Sequence, residues 1–171
     1  MPYTNDISFN EEATSSPIQQ LTYVNPAGFR LLLDTKKYPN AQYTIQTAAL
    51  PDISINAAPL NTPQRNIGLA ADKIDYGIFD LTFLVDEQLI NYKEIHDWML
   101  GIVTQEDNKS TRKERDLTLQ VLSSSNNVVQ QIRFVDAYPI NLSSLPYDTT
   151  VTDVQYLIAA VSFQYSYFKF V

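Results

Sequence analysis

The chain has 171 residues, which suits one domain with a substantial core, and its hydrophobic content of 44% lies in the globular range. It has no cysteine, which excludes disulfides, thiolate nucleophiles, iron–sulfur clusters and the common structural zinc sites. The formal net charge of −7 argues against a protein that binds nucleic acid by neutralising its phosphates. The same charge is equally well explained as a means of keeping a small domain soluble. The sequence has neither an apolar run of about 18 residues nor a secretion signal, so we expect synthesis in a cytoplasm and no membrane span.

Residues 1–22 are predicted to be an N-terminal arm, and residues 23–171 a single domain. The arm is rich in Asn, Glu, Ser and Thr, and such a segment can hardly build a core alone. Its scattered apolar side chains include Tyr3, Ile7, Phe9 and Ile18. Two interpretations stay open: a disordered leader, or an arm that becomes ordered on a neighbouring subunit.

The first half of the domain is predicted to be β-rich. Turn signals bound apolar segments at Phe29–Leu33, Gln42–Ala48 and Ile78–Val85, and the last of these alternates with period two. Pro59 and Pro63 interrupt the extended segment 54–63, and proline cannot donate to a central ladder. That segment therefore predicts a hairpin arm or an edge strand.

One helix is predicted after the third strand. Apolar residues recur at spacings of three and four, which places one stripe of the helix against a sheet; they are Leu89, Tyr92, Ile95, Met99 and Ile102. Asp86 is expected to cap its N-terminus. The charged segment 104–116 is then predicted to be a solvated loop between two β halves.

The second half is predicted to be a further set of strands. Leu117–Val121 and Val128–Val135 form a hairpin, and Tyr138–Leu142 a separate extended piece. The closing segment Asp153–Phe168 alternates with both faces largely apolar. As one strand its roughly 15 residues span about 50 Å, two to three times the usual length. Because an exposed edge of that length aggregates, we expect it to pair with another subunit.

The residues offer little catalytic chemistry. His96 is the single histidine, no Gly-x-Ser-x-Gly elbow or glycine-rich phosphate loop is present, and we predict no enzyme, cofactor or metal site. Paired carboxylates could serve glycoside hydrolysis, but close pairs are expected by chance among 19 acids. The candidates are Asp72, Asp75, Asp80, Asp86 and Glu87. The basic cluster Lys109, Arg112, Lys113 and Arg115 favours a solvated loop that contacts an acidic partner over nucleic-acid binding.

A family resemblance emerges from the order of several motifs. They are Ala48–Pro51, Pro63–Ile67, Asp72–Asp86 running into Tyr92–Trp98, Leu117–Leu122, Gln131–Pro139, and the aromatic segment Ala160–Phe168. Together they resemble the tail tube proteins of T4-like contractile phages. The sequence departs from that pattern at Asn61–Asn66, where a charged glycine–arginine hairpin is expected, and at Ala71, where a glycine is common. The departures leave room for a tube-like relative at the baseplate or neck.

The resemblance implies a mainly β fold: an antiparallel β-sandwich or barrel with one flanking helix, an extended N-terminal arm and a long hairpin. It also implies stacked hexameric rings in a virion tail, with other tail, baseplate or neck proteins, and a sheath, as partners. DNA would pass through an acidic lumen without specific binding. The predicted contacts between subunits are Ile55, Pro59, Pro63, Arg65, Ile67, Asp72, Phe163, Tyr165 and Tyr167.

The leading hypothesis is a repeating subunit of a phage tail tube that conducts the genome during ejection. The alternative is an adaptor that forms one ring only, either a tube initiator at the baseplate or a tail terminator or completion protein. A hypothesis of another class is a stand-alone β-sandwich module that binds carbohydrate, which the many aromatic residues favour weakly. A relative of bacterial secretion tubes is a further possibility.

Overall fold

The computed structural model describes residues 23–33, 44–61, 64–69, 72–104, 115–150, 152–153 and 155–171. The predicted arm at 1–22, Pro63 and most of the predicted loop at 104–116 lie outside these residues. Within them the elements are β1 (Phe29–Leu32), β2 (Ile45–Ala49), β3 (Ile53–Ile55), β4 (Ala58–Asn61), β5 (Asn66–Leu69), β6 (Ile74–Tyr76), β7 (Phe79–Leu84), α1 (Ile90–Thr104), β8 (Arg115–Leu122), β9 (Val128–Leu142), β10 (Ile158–Gln164) and β11 (Tyr167–Phe170).

Two antiparallel sheets share the long strand β9. Sheet 1 has the order β1-β8-β9-β11 and uses the N-terminal part of β9, whereas sheet 2 has the order β9-β10-β7-β2 and uses its C-terminal part. The sheets enclose the core as a sandwich that does not close into a barrel within the described residues, and α1 packs beside β9. The predicted mainly β fold with one helix is confirmed. No helix in this part of the chain is long and apolar enough to cross a membrane.

The sheets meet at a bend shared by β9 and the closing strands. Gln164 pairs with Tyr138 and Tyr167 pairs with Val135, so the register is the same on both sides of the bend. At the bend Asp136 adopts a positive φ of 55°, a conformation that costs energy for a residue with a side chain. At the bend the alternation of buried and exposed side chains shifts by one residue. Because of this shift, β9 and the closing strands turn side chains towards the core both in sheet 1 and in sheet 2.

Three predictions about these strands are wrong. The closing segment divides into β10 and β11, and Val128–Leu142, predicted as two pieces, is a single strand. Burial on both faces of the closing strand is also wrong. Ala159 and Val161 are buried, while Ile158 is 50% exposed on the opposite face, so β10 covers the core with one side only.

The centre of the core is a cluster of aromatic rings around Phe134, which is fully buried. Its ring stacks on Phe79 at 4.3 Å, meets Tyr165 edge-on at 5.0 Å and lies 5.6 Å from Phe168. Phe79 belongs to sheet 2 and Phe168 to sheet 1. The cluster therefore holds the two sheets together at the bend.

The helix begins later than predicted. The N–H of Leu89 donates to the carbonyl of Asp86, Leu89 has a φ of 57°, and α1 starts at Ile90, so the predicted cap at Asp86 is wrong. The tight turn through Leu89 is what delays the helix. The predicted stripe is otherwise sound, because Ile95 is buried and, beside it, Trp98 packs 5.7 Å from Phe163.

Candidate assembly surfaces

The strands β3 to β6 extend the β2–β7 pair of sheet 2 and confirm the predicted hairpin. From here on we call these four strands the arm, as distinct from the predicted N-terminal arm. β3 pairs with β6 and β4 pairs with β5, both antiparallel. At the root the N–H of Gly77 donates to the carbonyl of Asp52 at 3.0 Å. A Cβ on residue 77 would lie 1.9 Å from Asp52 Oδ1, so this position requires glycine unless the aspartate moves.

Tyr76 fastens the root of the arm to the core. Its ring meets Tyr165 at 6.1 Å and Phe168 at 5.5 Å, both edge-on. Edge-to-face contacts at these separations are favourable. The first strand pair of the arm is therefore anchored to the point where the two sheets meet.

One face of the arm is apolar and exposed. Ile53 lies opposite Tyr76 and Ile55 opposite Ile74, which places all four side chains on one side of the β3–β6 ribbon. Ile53, Ile55 and Ile74 are 52%, 58% and 51% exposed. An isolated two-stranded ribbon is marginally stable in water, and a contiguous apolar face marks an interaction site. The arm thus presents a surface suited to another protein.

The structure places most predicted contacts of the first half on this arm. Ile55 is on the exposed apolar face, and Arg65 and Asp72 are exposed. Pro59 pairs with Gly68 in the β4–β5 ribbon, and Ile67 pairs with Leu60 there. These residues all belong to the arm, and their contacts with another subunit stay predictions.

The predicted contacts in the closing strands fall in different environments. Phe163 and Tyr165 are 0% and 4% exposed, so their side chains pack inside their own chain, which corrects their expected place at a surface. The reason is that their face of the strand is the core face of the sandwich. Tyr167 follows the bend and is 42% exposed, and its contact with another subunit stays a prediction.

Tyr165 carries a buried hydroxyl that has no hydrogen-bond partner in the described part of the chain. Burial, with the negative charge of Asp52 and the nearby Tyr76 adding to it, raises the pKa of the Tyr165 hydroxyl to about 12. An unsatisfied buried hydroxyl costs free energy. This hydroxyl is therefore a destabilising group beside the arm root.

The outward face of sheet 2 carries small side chains around Thr82 and Asp80, whereas Leu84 and Ile158 make one end of it apolar. The hydroxyls of Thr47 and Thr82 lie 2.6 Å apart, and the Ser162 hydroxyl donates to Asp80 Oδ1 at 2.6 Å. Ala160 is exposed on the same face. The part of this face around Thr82 and Asp80 is therefore polar and carries a carboxylate.

A cleft of about 540 Å³ lies at the start of α1, and Asn91, which lines it, has a structural role. Asn91, fully buried, donates to Thr44 Oγ1 and to the carbonyl of Leu84, and accepts from the N–H groups of Asp86 and Tyr92. Both polar atoms of this side chain are thus hydrogen-bonded, and the bond to Leu84 joins the helix to sheet 2.

The considered catalytic groups do not converge. His96 lies 3.3 Å from Asp97, its neighbour in sequence, and both side chains are more than half exposed. Of the considered acids, Asp80 accepts a hydrogen bond from Ser162 and Asp75 one from Asn56, and all five are exposed. Within the described residues no three acids or histidines are close enough to hold a metal ion.

Sequence reasoning missed the residues at the arm root. Tyr76 and Gly77 were not singled out, nor was Phe170, which is 61% exposed beside Phe168. The alternation of Ile74 and Tyr76 with Asp75 is a local signal for a two-faced strand. The pairing that makes them a surface, with Ile53 and Ile55, is set by register between distant segments.

The structure combines a β-sandwich with a hairpin arm whose apolar face is exposed. A model of the family described as phage tail tube protein matches residues 6–171. The chain therefore belongs to the phage tail tube protein family, as the resemblance in the sequence indicated.

Individual relatives and structures agree with this membership. The tail tube terminator protein of Enterobacteria phage T4 is 25% identical over 131 residues, which is 72% of this chain and 74% of the relative. The tube-terminating cap of the anti-feeding prophage has a TM-score of 0.68 at 12% identity, covering 94% of this chain and 98% of that one. A chain of the PVC sheath/tube terminator, from an extracellular contractile injection system, has a TM-score of 0.62 at 13% identity, covering 89% and 99%. At these identities the structural likeness shows the fold alone.

Proposed function

We propose that the protein is a tube terminator: it forms one ring that ends the tail tube of a phage virion and joins it to neighbouring tail proteins. The observation that carries the proposal is the sequence similarity to the T4 tail tube terminator across 72% of the chain. The likeness in fold to two tube-terminating chains supports it. The leading sequence hypothesis, a repeating tube subunit, becomes the second candidate.

The described surfaces suit a hexameric ring assembled from identical copies. β1 and β2 are edge strands of sheets 1 and 2, so each leaves one row of backbone groups without a strand partner in the described chain. Pairing such edges between copies gives a head-to-tail contact that closes into a ring. The free energy of assembly then comes from β pairing and from burial of the apolar face of the arm.

We place the outward face of sheet 2 at the lumen of this ring. Its short side chains, Thr47, Thr82 and Ser162, present hydroxyls and no long cationic groups, and Asp80 adds a negative charge. Phosphates meet like charge on such a face, and DNA passes without specific binding.

The test is the assembly state of the purified protein over a wide concentration range, by negative-stain microscopy and sedimentation. The proposal predicts hexameric rings that stay single at high concentration. Rings that elongate into tubes would move the assignment to the repeating tube subunit. Monomers under every condition, including mixtures with neighbouring tail proteins, would contradict both.

A pair of variants tests the role of the arm within this assembly. Ile55→Lys places a charge on the apolar face of the β3–β6 ribbon, whereas Ser54→Lys places the same charge on the opposite face of the same strand, across from Asp75. We expect Ile55→Lys to abolish ring contacts made by the arm and Ser54→Lys to assemble like the natural protein. Equal assembly of the two variants would remove the arm from the interface.

A further inference from the structure

A groove runs along the end of sheet 2 that lies away from the arm. The arm joins β7 beside Phe79, whereas the groove lies beside Leu84, at the opposite end of the same strand. Here the N–H of Val85 donates to the carbonyl of Leu157 at 2.9 Å, and Leu84 pairs with Ile158. The segment that leads into β10 is thereby held next to the end of β7.

The groove consists of two clefts that meet at Tyr156, and we call them together the Tyr156 groove. One is the cleft of about 540 Å³ at the start of α1, and the other, of about 630 Å³, is lined by residues 146–148, 153 and 155–158. Tyr156 lines both clefts and is 76% exposed. Tyr147 and Ile158 line the second cleft and are 72% and 50% exposed. Large side chains with apolar surface that lie together in a groove and face solvent mark a binding site.

The charged side chains along the Tyr156 groove are acidic. Asp86 and Glu87 line the first cleft, and Asp148 and Asp153 line the second. No lysine, arginine or histidine is among the described residues that line either cleft. Asp148 Oδ1 accepts hydrogen bonds from the Thr150 hydroxyl at 2.6 Å and from the Thr150 N–H at 2.8 Å, and these bonds lower the pKa of Asp148. Its negative charge is therefore held in one place and persists at neutral pH.

Tyrosine rings beside carboxylates suit a cation carried on an apolar stem. A guanidinium or ammonium group is attracted to the face of an aromatic ring and to a carboxylate, while its aliphatic stem covers apolar surface. Nucleic acid is disfavoured in this groove because its phosphates meet like charge. An oligosaccharide also packs on tyrosine rings, but the excess of negative charge attracts a basic ligand and not a neutral one.

We propose that the Tyr156 groove binds a segment of another tail protein that is rich in arginine or lysine and in apolar residues. The inference rests on the proposed terminator, because a subunit that ends a tube needs a contact with a protein other than its own copies. Such a segment places its cations beside the acidic side chains and its apolar side chains on Tyr147 and Ile158. Since the arm lies at the other end of sheet 2, the ring contacts of the arm and this partner do not compete.

Fluorescence anisotropy of short labelled peptides tests the groove in whichever assembly state the protein adopts. The probe is a peptide of alternating leucine and arginine, and its control has glutamate in place of every arginine. We expect the arginine peptide to bind and the glutamate peptide not to bind. The affinity for the arginine peptide should decrease with salt, because salt screens exposed charges.

Two variants in the groove have matched controls elsewhere in the chain. Tyr156→Ala removes the shared ring and should weaken binding of the arginine peptide about tenfold. Its control, Tyr23→Ala, removes a tyrosine that is 92% exposed ahead of β1 and should change nothing. Asp148→Asn removes the charge but keeps the oxygen that accepts from Thr150, and it should weaken binding about threefold. Its control, Asp97→Asn, neutralises an exposed acid on α1 and should have no effect.

The alternative outcomes separate the groove from the proposed function. Equal weakening by a groove variant and its control would mean that the peptide follows the net charge of −7, and would overturn the groove as its site. Maltohexaose that displaces the peptide, and that itself binds more weakly to Tyr156→Ala, would overturn the inference in favour of a carbohydrate site. Single rings that bind no arginine peptide would overturn the groove and leave the proposed function intact. Growth into tubes, or monomers only, in sedimentation of the same samples would overturn the proposed function on which the inference rests.

Discussion

Phe134 is the residue whose removal should damage this fold most. It is fully buried on β9 and its ring contacts Phe79, Tyr165 and Phe168, which come from both sheets. Phe134→Ala leaves a cavity at the bend, where neither sheet can move inward without disturbing the shared strand. The cost is therefore the lost transfer free energy plus a cavity term with little relaxation.

The expected loss of unfolding free energy is about 3–5 kcal/mol, at the upper end because three aromatic contacts disappear together. For a domain of this size each kcal/mol lowers the Tm by about 2–4 °C, which predicts a decrease of roughly 6–20 °C. Phe134→Leu, which keeps most of the volume, should cost only about 1–2 kcal/mol.

Urea unfolding of the monomeric protein measures this difference. Trp98 is the single tryptophan and is 4% exposed, so its fluorescence reports on the core without an added label. The reasoning is refuted if Phe134→Ala costs less than about 1.5 kcal/mol, or if it costs no more than Phe134→Leu. Either result would mean that the ring cluster does not hold the sheets together.

Two further predictions concern buried polar groups. Asn91→Ala leaves the carbonyl of Leu84 and the N–H of Asp86 without their side-chain partner. Urea unfolding should therefore show a loss of unfolding free energy of about 2–4 kcal/mol. The exposed control Asn141→Ala should lose less than about 0.5 kcal/mol. Tyr165→Phe removes a hydroxyl without a partner and should leave stability at neutral pH unchanged or slightly higher, which a thermal melt checks. Because the pKa of Tyr165 is raised to about 12, the natural protein should also lose stability as the pH rises from about 10 to 12. If the Tm of Tyr165→Phe decreases equally steeply over the same pH range, this prediction is refuted.

Local patterns in the sequence determined several elements of this protein. The alternation of Phe79, Leu81 and Phe83 identified β7 and its buried face, because in a strand successive side chains point to opposite sides whatever lies beyond. The spacing of Ile95 within its stripe identified the face of α1 that packs on the core. The prolines of segment 54–63 likewise predicted a hairpin arm or an edge strand outside a central sheet, and the hairpin is the one that forms.

Tertiary structure decided where strands end and which surfaces stay open. The closing segment alternates almost without interruption, yet it divides at the bend because β9 changes sheets opposite it, at Asp136. The start of α1 depends on the backbone conformation of Leu89, and the apolar face of the arm depends on the pairing of Ile53 with Tyr76. Periodicity is a property of a few neighbouring residues, whereas register joins segments far apart in the chain. The sequence by itself therefore determined the class of fold and family, and only the tertiary structure decided that the apolar face of the arm stays exposed.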